Sequence, residues 1–211
     1  LQQASHFAVD TETTCLDYRQ AQIVGVSFAL DAQDAFYIPL AHDYMDAPDQ
    51  LNREAVLSAL KPVLENPDIG KIGHHLKYDA HVFANHGVDL KGWLFDTMLA
   101  SYIYNASATR HGMDDVARDY LSHLTTTFED IAGKGAKQLT FNQIALEEAG
   151  PYAAEDADIT LRLHNTIWAK LKEIPELKNL LIDVEVPLAC VLSRMEQEGV
   201  LIDSQRLSQQ S

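Results

Sequence analysis

The chain opens with short alternating runs and later settles into helical periods. Residues 6–10 read as a strand that feeds an acidic turn. In residues 22–30, Val24, Val26, Phe28 and Leu30 alternate with Gly25, Ser27 and Ala29, which predicts a strand with two faces. Residues 35–40 alternate again, and Pro39 marks an edge because it has no N–H to offer a neighbour. Strands this close together predict an antiparallel meander. From residue 52 the period becomes helical. Val56, Leu60, Val63 and Leu64 form one apolar face, and Pro62 is expected to kink or shorten the helix. Residues 69–73 read as a short buried strand, 76–87 as a helix capped by Gly87, and 95–104 as another helix.

The stretch 105–143 is polar and broken by Gly112 and a glycine-containing run at 132–138, so short helices and a mobile loop are expected. A long helix is predicted over 152–171, after a break at Gly150 and with Pro151 in its first turn. A last helix with an apolar stripe is read over 185–203. There is no internal repeat and no low-complexity segment. Three strands followed by helix–strand–helix alternation predict an α/β fold, a mixed sheet with helices packed on it.

The 211 residues, 46% of them hydrophobic, suffice for one sizeable core. Charge changes the picture more. With 31 acidic against 16 basic residues, the formal net charge is −15, so bulk charge does not draw this chain to polyanions. A nucleic-acid contact has to be local, or screened by bound cations. Cys15 and Cys190 are far apart and form no CxxC pattern, which points to a reducing, cytoplasmic setting without a disulfide framework. No apolar run approaches the roughly 18 residues of a membrane span. The chain lacks an initiator Met and is expected to be a piece of a longer protein. Nothing argues for an oligomer, so a monomer is expected.

Candidate chemistry begins at Asp10 and Glu12 in "FAVDTET". Side chains two apart on a strand share a face, so these acids project together and repel unless something positive lies between them. Taken alone, the pair also fits an exposed strand end screened by water. Asp79 lies on a helix among Leu76, Ala80 and Phe83. Tyr152 and Asp156 stand one helical turn apart, on a face that continues through Ile159 and Leu163 and so looks inward. An acid near a helix N-terminus is favoured by the dipole, which accounts for Asp156 but not for Tyr152 or the other acids. Inward acids are rarely left unpaired. Four carboxylates without a Cys or His ligand set suit hard cations, Mg²⁺ or Mn²⁺, of the kind used in two-metal phosphoryl transfer.

These residues resemble the 3′→5′ proofreading exonuclease domain of bacterial DNA polymerase I, within the DEDD exonucleases of the ribonuclease-H-like fold. The resemblance runs through "DTET", "AHDYMDAPDQ", "LKYD", "FDTML", "YAAEDAD" and most specifically residues 127–150. It implies an exonuclease domain over 1–174 and the start of a polymerase region over 175–211, with the rest of that region a partner in the same full-length chain. It implies that Asp10, Glu12 and Asp156 bind a first metal, that Asp10 bridges to a second supported by Asp79, and that Tyr152 aims the attacking water. A tyrosine four residues before the last acid marks the tyrosine branch of the group. Leu16 and Phe128 match apolar residues that pack against terminal bases, and Arg110 matches a substrate-contacting arginine. By their residue types alone, Leu16 and Phe128 fit core packing and Arg110 fits a solvated surface charge.

One position departs from the family. His75 stands where an Asn is usual. Neutral imidazole, like an amide, both donates and accepts, so the contact to the DNA end is either kept or lost. His75, with His74, also stands as an alternative metal ligand, which a Zn²⁺ requirement would support. The resemblance implies a metal-dependent 3′→5′ exodeoxyribonuclease that takes single-stranded or frayed 3′ DNA ends and releases deoxynucleoside monophosphates. The competing readings are a catalytically silent structural module and an RNA-trimming exonuclease of the same branch.

Overall fold

The computed structural model describes residues 1–31 and 34–210. Ser211, the last residue of the expected second segment, lies outside the described residues. Five strands form one sheet: β1 (His6–Thr13), β2 (Ile23–Asp31), β3 (Asp34–Pro39), β4 (Gly70–Gly73) and β5 (Trp93–Asp96), in the order β3-β2-β1-β4-β5. β2 pairs antiparallel with β1 and β3, whereas β1–β4 and β4–β5 are parallel. The sheet is therefore mixed, as expected, and Pro39 does lie on an edge strand.

Alternation along β1 divides the core. Phe7 and Val9 face a layer built from α1 (Arg53–Leu64) and α2 (Leu76–Asn85), where Leu57, Leu64, Val82 and Phe83 are buried. Ala8 faces the other layer, built from α3 (Thr97–Tyr104), α4 (Met113–Leu121) and the long α6 (Leu146–Leu171). Ile159, Leu163 and Ile167 of α6 are fully buried there, each contributing about 1.5–3 kcal/mol of apolar burial. A third cluster joins Val24, Phe141, Ile144, Ala149 and Ala153, beside the short α5 (Phe128–Ala132). At the C-terminal end, α7 (Pro175–Asn179), a π-helical turn over Leu180–Glu185, α8 (Val186–Glu198) and α9 (Ser204–Gln210) follow. α8 is pinned to α2 by Glu196, which accepts from Lys77 Nζ at 2.6 Å and lies 2.8 Å from His81 Nε2. Among the described residues, no helix is long and apolar enough to cross a membrane.

The structure corrects several expectations. β1 runs through the acids to Thr13, so they lie on the strand and not in a turn. Residues 93–96 form a fifth strand, and α3 begins only at Thr97. Strand β5 is too short to show a period of its own and runs directly into the helix. α6 starts at Leu146, six residues before the expected start, which puts Pro151 inside the helix. Pro151 removes a single backbone donor, while burial of Ala149 in the third cluster draws the first turn into the helix. α8 stops at Glu198, before Gly199 at φ +69°, and α9 then follows it. The register between β1 and β2 slips at Val24, because Glu12 pairs with Gly25 and Thr13 with Ile23. This bulge sends Val24 into the third cluster, whereas Val26 and Phe28 join the α1/α2 layer.

Candidate active site

The parallel strands β1 and β4 end side by side, and a cavity of about 630 Å³ opens at their carboxyl ends. Asp10 and Glu12 enter it from one face of β1. Asp156 reaches them from α6, and one oxygen of each of the three carboxylates lies within 4.8 Å of the others. Ala149, Ala153 and Ala157 make this approach possible. They recur every four residues, are fully buried, and present only methyl groups toward the sheet. Tyr152 shares that face, one helical turn before Asp156, and lines the same cavity.

Asp79 arrives from the opposite layer, on α2, and stands outside the three-acid cluster. Its Oδ1 accepts from Thr11 N–H at 3.0 Å and from Thr11 Oγ1 at 2.6 Å. Thr11, between the two strand acids, thus ties the fourth acid to the strand. α2 is placed by Asp96, a residue the sequence reading did not single out. Its carboxylate accepts the N–H groups of His75 and Leu76 at the start of α2, and of Met98 and Leu99 at the start of α3. One buried side chain therefore caps two helices. The signal was present in "FDT", an acid just before a helical run, but the missed strand concealed it.

Packing carboxylates together has an electrostatic cost. Burial pushes the Asp10 carboxyl up to about 6. Burial and then the Asp10, Asp156 and Asp79 charges push Glu12 well above the usual range. Asp79 and Asp156 are raised by burial first and by Asp10 second. Among the described residues, Glu12 Oε1 is buried with no hydrogen-bond partner. A cluster of acids with raised affinity for protons, including one unpartnered buried oxygen, is suited to hold a cation, whose charge would offset the repulsion. The donor set is all oxygen, which fits a hard divalent ion. Among the described residues, no histidine joins the three acids.

The remaining candidates divide by position. Leu16 lines the cavity and is 91% exposed, so it is not a core residue. The Tyr78 hydroxyl lies 2.7 Å from Thr13 Oγ1 and donates to Cys15 O at 2.8 Å, which fixes the turn carrying Leu16. Phe128 also lines the cavity and packs edge-on to Tyr152 at 6.5 Å. Glu155 anchors the segment before Phe128 by accepting from Thr126 N–H at 2.9 Å. His75 is exposed at the cavity rim with φ +68°, ψ 45°. That left-handed conformation suits Asn and His better than most residues, a physical reason for their exchange at this position. Arg110 is exposed and is not among the cavity-lining residues.

A mixed sheet of this order, with acids at the carboxyl end of its central strand and on the helix across it, places the fold in the ribonuclease-H-like class. A sequence model described as 3′-5′ exonuclease matches residues 1–172, and the chain belongs to that family. It is 57% identical to DNA polymerase I of Pseudomonas aeruginosa over all of its own length and 23% of the polymerase's. The chain thus spans about a quarter of that relative. Two solved structures share the fold. The POL domain of Pol1 from M. smegmatis, in complex with DNA primer-template and dNTP, superposes with a TM-score of 0.75 at 24% identity, covering 98% of this chain and 31% of that one. Brucella melitensis NrnC with bound Mg²⁺ gives 0.63 at 18% identity, covering 96% and 91%.

Proposed function

We propose that this domain removes nucleotides from single-stranded or frayed 3′ DNA ends with the help of two divalent cations. The observation that carries the reading is the cluster of Asp10, Glu12 and Asp156, together with a buried Glu12 oxygen that has no hydrogen-bond partner among the described residues. Those three acids would hold one cation, and Asp10 with Asp79 would hold the other. When bound, the cations supply the charge that activates an attacking water and stabilises the leaving 3′ oxygen. Mg²⁺ and Mn²⁺ are the expected ions, and Mg²⁺ occupies the NrnC structure.

The chain's own residues do the rest. Burial and the Asp156 charge push the Tyr152 hydroxyl far above its ordinary pKa, so it stays protonated and orients water as a hydrogen-bond partner, not as a base. Leu16 and Phe128 flank the cavity and grip the terminal bases, a contact that tolerates any sequence. His75 contacts the 3′-terminal nucleotide at the rim. Arg110 reaches the strand further from the acids. Residues 175–211 lead into the polymerase region, and α8 already packs against α2 through Glu196. The net charge of −15 disfavours duplex, which that region supplies a surface for.

The test compares matched 5′-labelled DNA and RNA oligonucleotides in Mg²⁺. DNA should shorten stepwise from the 3′ end with release of deoxynucleoside monophosphates. Faster shortening of the RNA would replace this reading with that of a ribonuclease.

A further inference from the structure

Among the described residues, Glu12 Oε1 has no hydrogen-bond partner, although Tyr37 packs on the same face of the sheet. Glu12 pairs across the β1–β2 ladder with Gly25. The Tyr37 ring from β3 lies over Gly25, where a Cβ would collide with Tyr37 Oη and the ring carbons beside it. The absence of a side chain at Gly25 is therefore what lets Tyr37 reach this position. The Glu12 charge is felt at the Tyr37 hydroxyl, which burial already pushes far above its ordinary pKa.

The proton of that hydroxyl goes elsewhere. His42 Nδ1 lies 3.0 Å from Ile144 O, and a carbonyl only accepts, so Nδ1 carries the hydrogen. Burial lowers the His42 pKa, so the ring is neutral and Nε2 is bare. Tyr37 Oη lies 2.7 Å from Nε2 and must be its donor. His42 is itself fixed. Its backbone N–H donates to Gln50 Oε1 at 2.8 Å, and Gln50 Nε2 returns a bond to its carbonyl at 2.8 Å. The bulge at Val24 adds a second anchor, because its carbonyl accepts from both Leu40 and Ala41 N–H.

We infer that His42 is a positioning residue whose hydrogen bond turns the Tyr37 proton away from Glu12 and keeps Glu12 Oε1 free for a divalent cation. The inference rests on the metal reading above. Without the His42 acceptor, the Tyr37 proton is free to turn to the Glu12 carboxylate, whose charge already acts on that hydroxyl. A cation then has to displace a charge-assisted hydrogen bond before it binds. The hydroxyl is an inhibitor held out of the way.

The test is Mn²⁺ binding to the metal-free domain by titration calorimetry, with folding checked by circular dichroism. His42→Leu should weaken Mn²⁺ binding about tenfold. His42→Gln, whose amide oxygen can replace Nε2 as acceptor, should bind like wild type. Tyr37→Phe should also bind like wild type, and the double variant Tyr37→Phe/His42→Leu should recover what His42→Leu lost. A role for His42 in loop structure alone predicts no such recovery. Unchanged binding by His42→Leu, no recovery in the double variant, or weakened binding by Tyr37→Phe alone would each overturn the inference. Should His42→Leu fail to fold, Tyr37→Phe and His42→Gln still decide it, since weakened binding by either contradicts it. Absence of Mn²⁺ binding in wild type would instead bring down the metal reading itself.

Discussion

Asp10→Asn should stabilise the metal-free domain at neutral pH, although it removes a residue central to the proposed chemistry. Burial pushes the Asp10 carboxyl from its ordinary 3.8 up to about 6. Below pH 3.8 both folded and unfolded chains hold the proton, and Asp10 imposes no penalty. As pH rises from there toward 6, the unfolded chain releases its proton before the folded one does. Stability is therefore lost across that window, and the loss is complete above the folded pKa. A shift of about two units corresponds to about 3 kcal/mol. Glu12, Asp79 and Asp156 are raised too and add losses of the same sign. For a chain of this length, 3 kcal/mol is about 6–12 °C in Tm. The assay is thermal unfolding in EDTA at pH 4 and pH 7.5. Wild type should lose more on going to pH 7.5 than Asp10→Asn does, and the variant should melt higher at pH 7.5. Added Mg²⁺ should reverse that order, because only the intact cluster gains binding free energy. Equal pH profiles, or a variant less stable at pH 7.5 in EDTA, would refute the electrostatic argument.

Other substitutions separate support from contact. Asp96→Ala removes the acceptor of four N–H groups at two helix starts and should cost about 2–3 kcal/mol in urea unfolding. Ala157→Leu forces a larger side chain between α6 and the sheet, which should cost about 1–3 kcal/mol and weaken Mn²⁺ binding by displacing Asp156. Leu16→Ala should leave stability within about 0.5 kcal/mol, since the side chain is 91% exposed, while raising the KM for single-stranded DNA severalfold.

What could be read from the sequence depended on the range of the interaction. Strands β1 to β4 and helices α1 and α2 declared themselves through local periodicity. The pairing of Asp10 with Glu12 followed from strand geometry alone, and Tyr152 with Asp156 from helix geometry. Strand β5 and the first turn of α6 did not declare themselves, because both depend on tertiary partners: β4 for one, and the cluster holding Ala149 for the other. The sequence placed four acids in one set. The structure brings three together and holds Asp79 at one remove, through Thr11. The placement of Tyr37 over Gly25 was hidden for the same reason. It depends on the register of three strands and on a bulge at Val24, and no short-range pattern encodes either.

The most direct measurement is digestion of a 5′-labelled single-stranded DNA oligonucleotide with Mg²⁺, with Mn²⁺ and with EDTA, beside Asp156→Ala. A ladder shrinking from the 3′ end is expected in either metal, and none in EDTA or with the variant. Shortening that persists in EDTA, or in Asp156→Ala with Mg²⁺, would contradict the claim that these carboxylates act by holding cations.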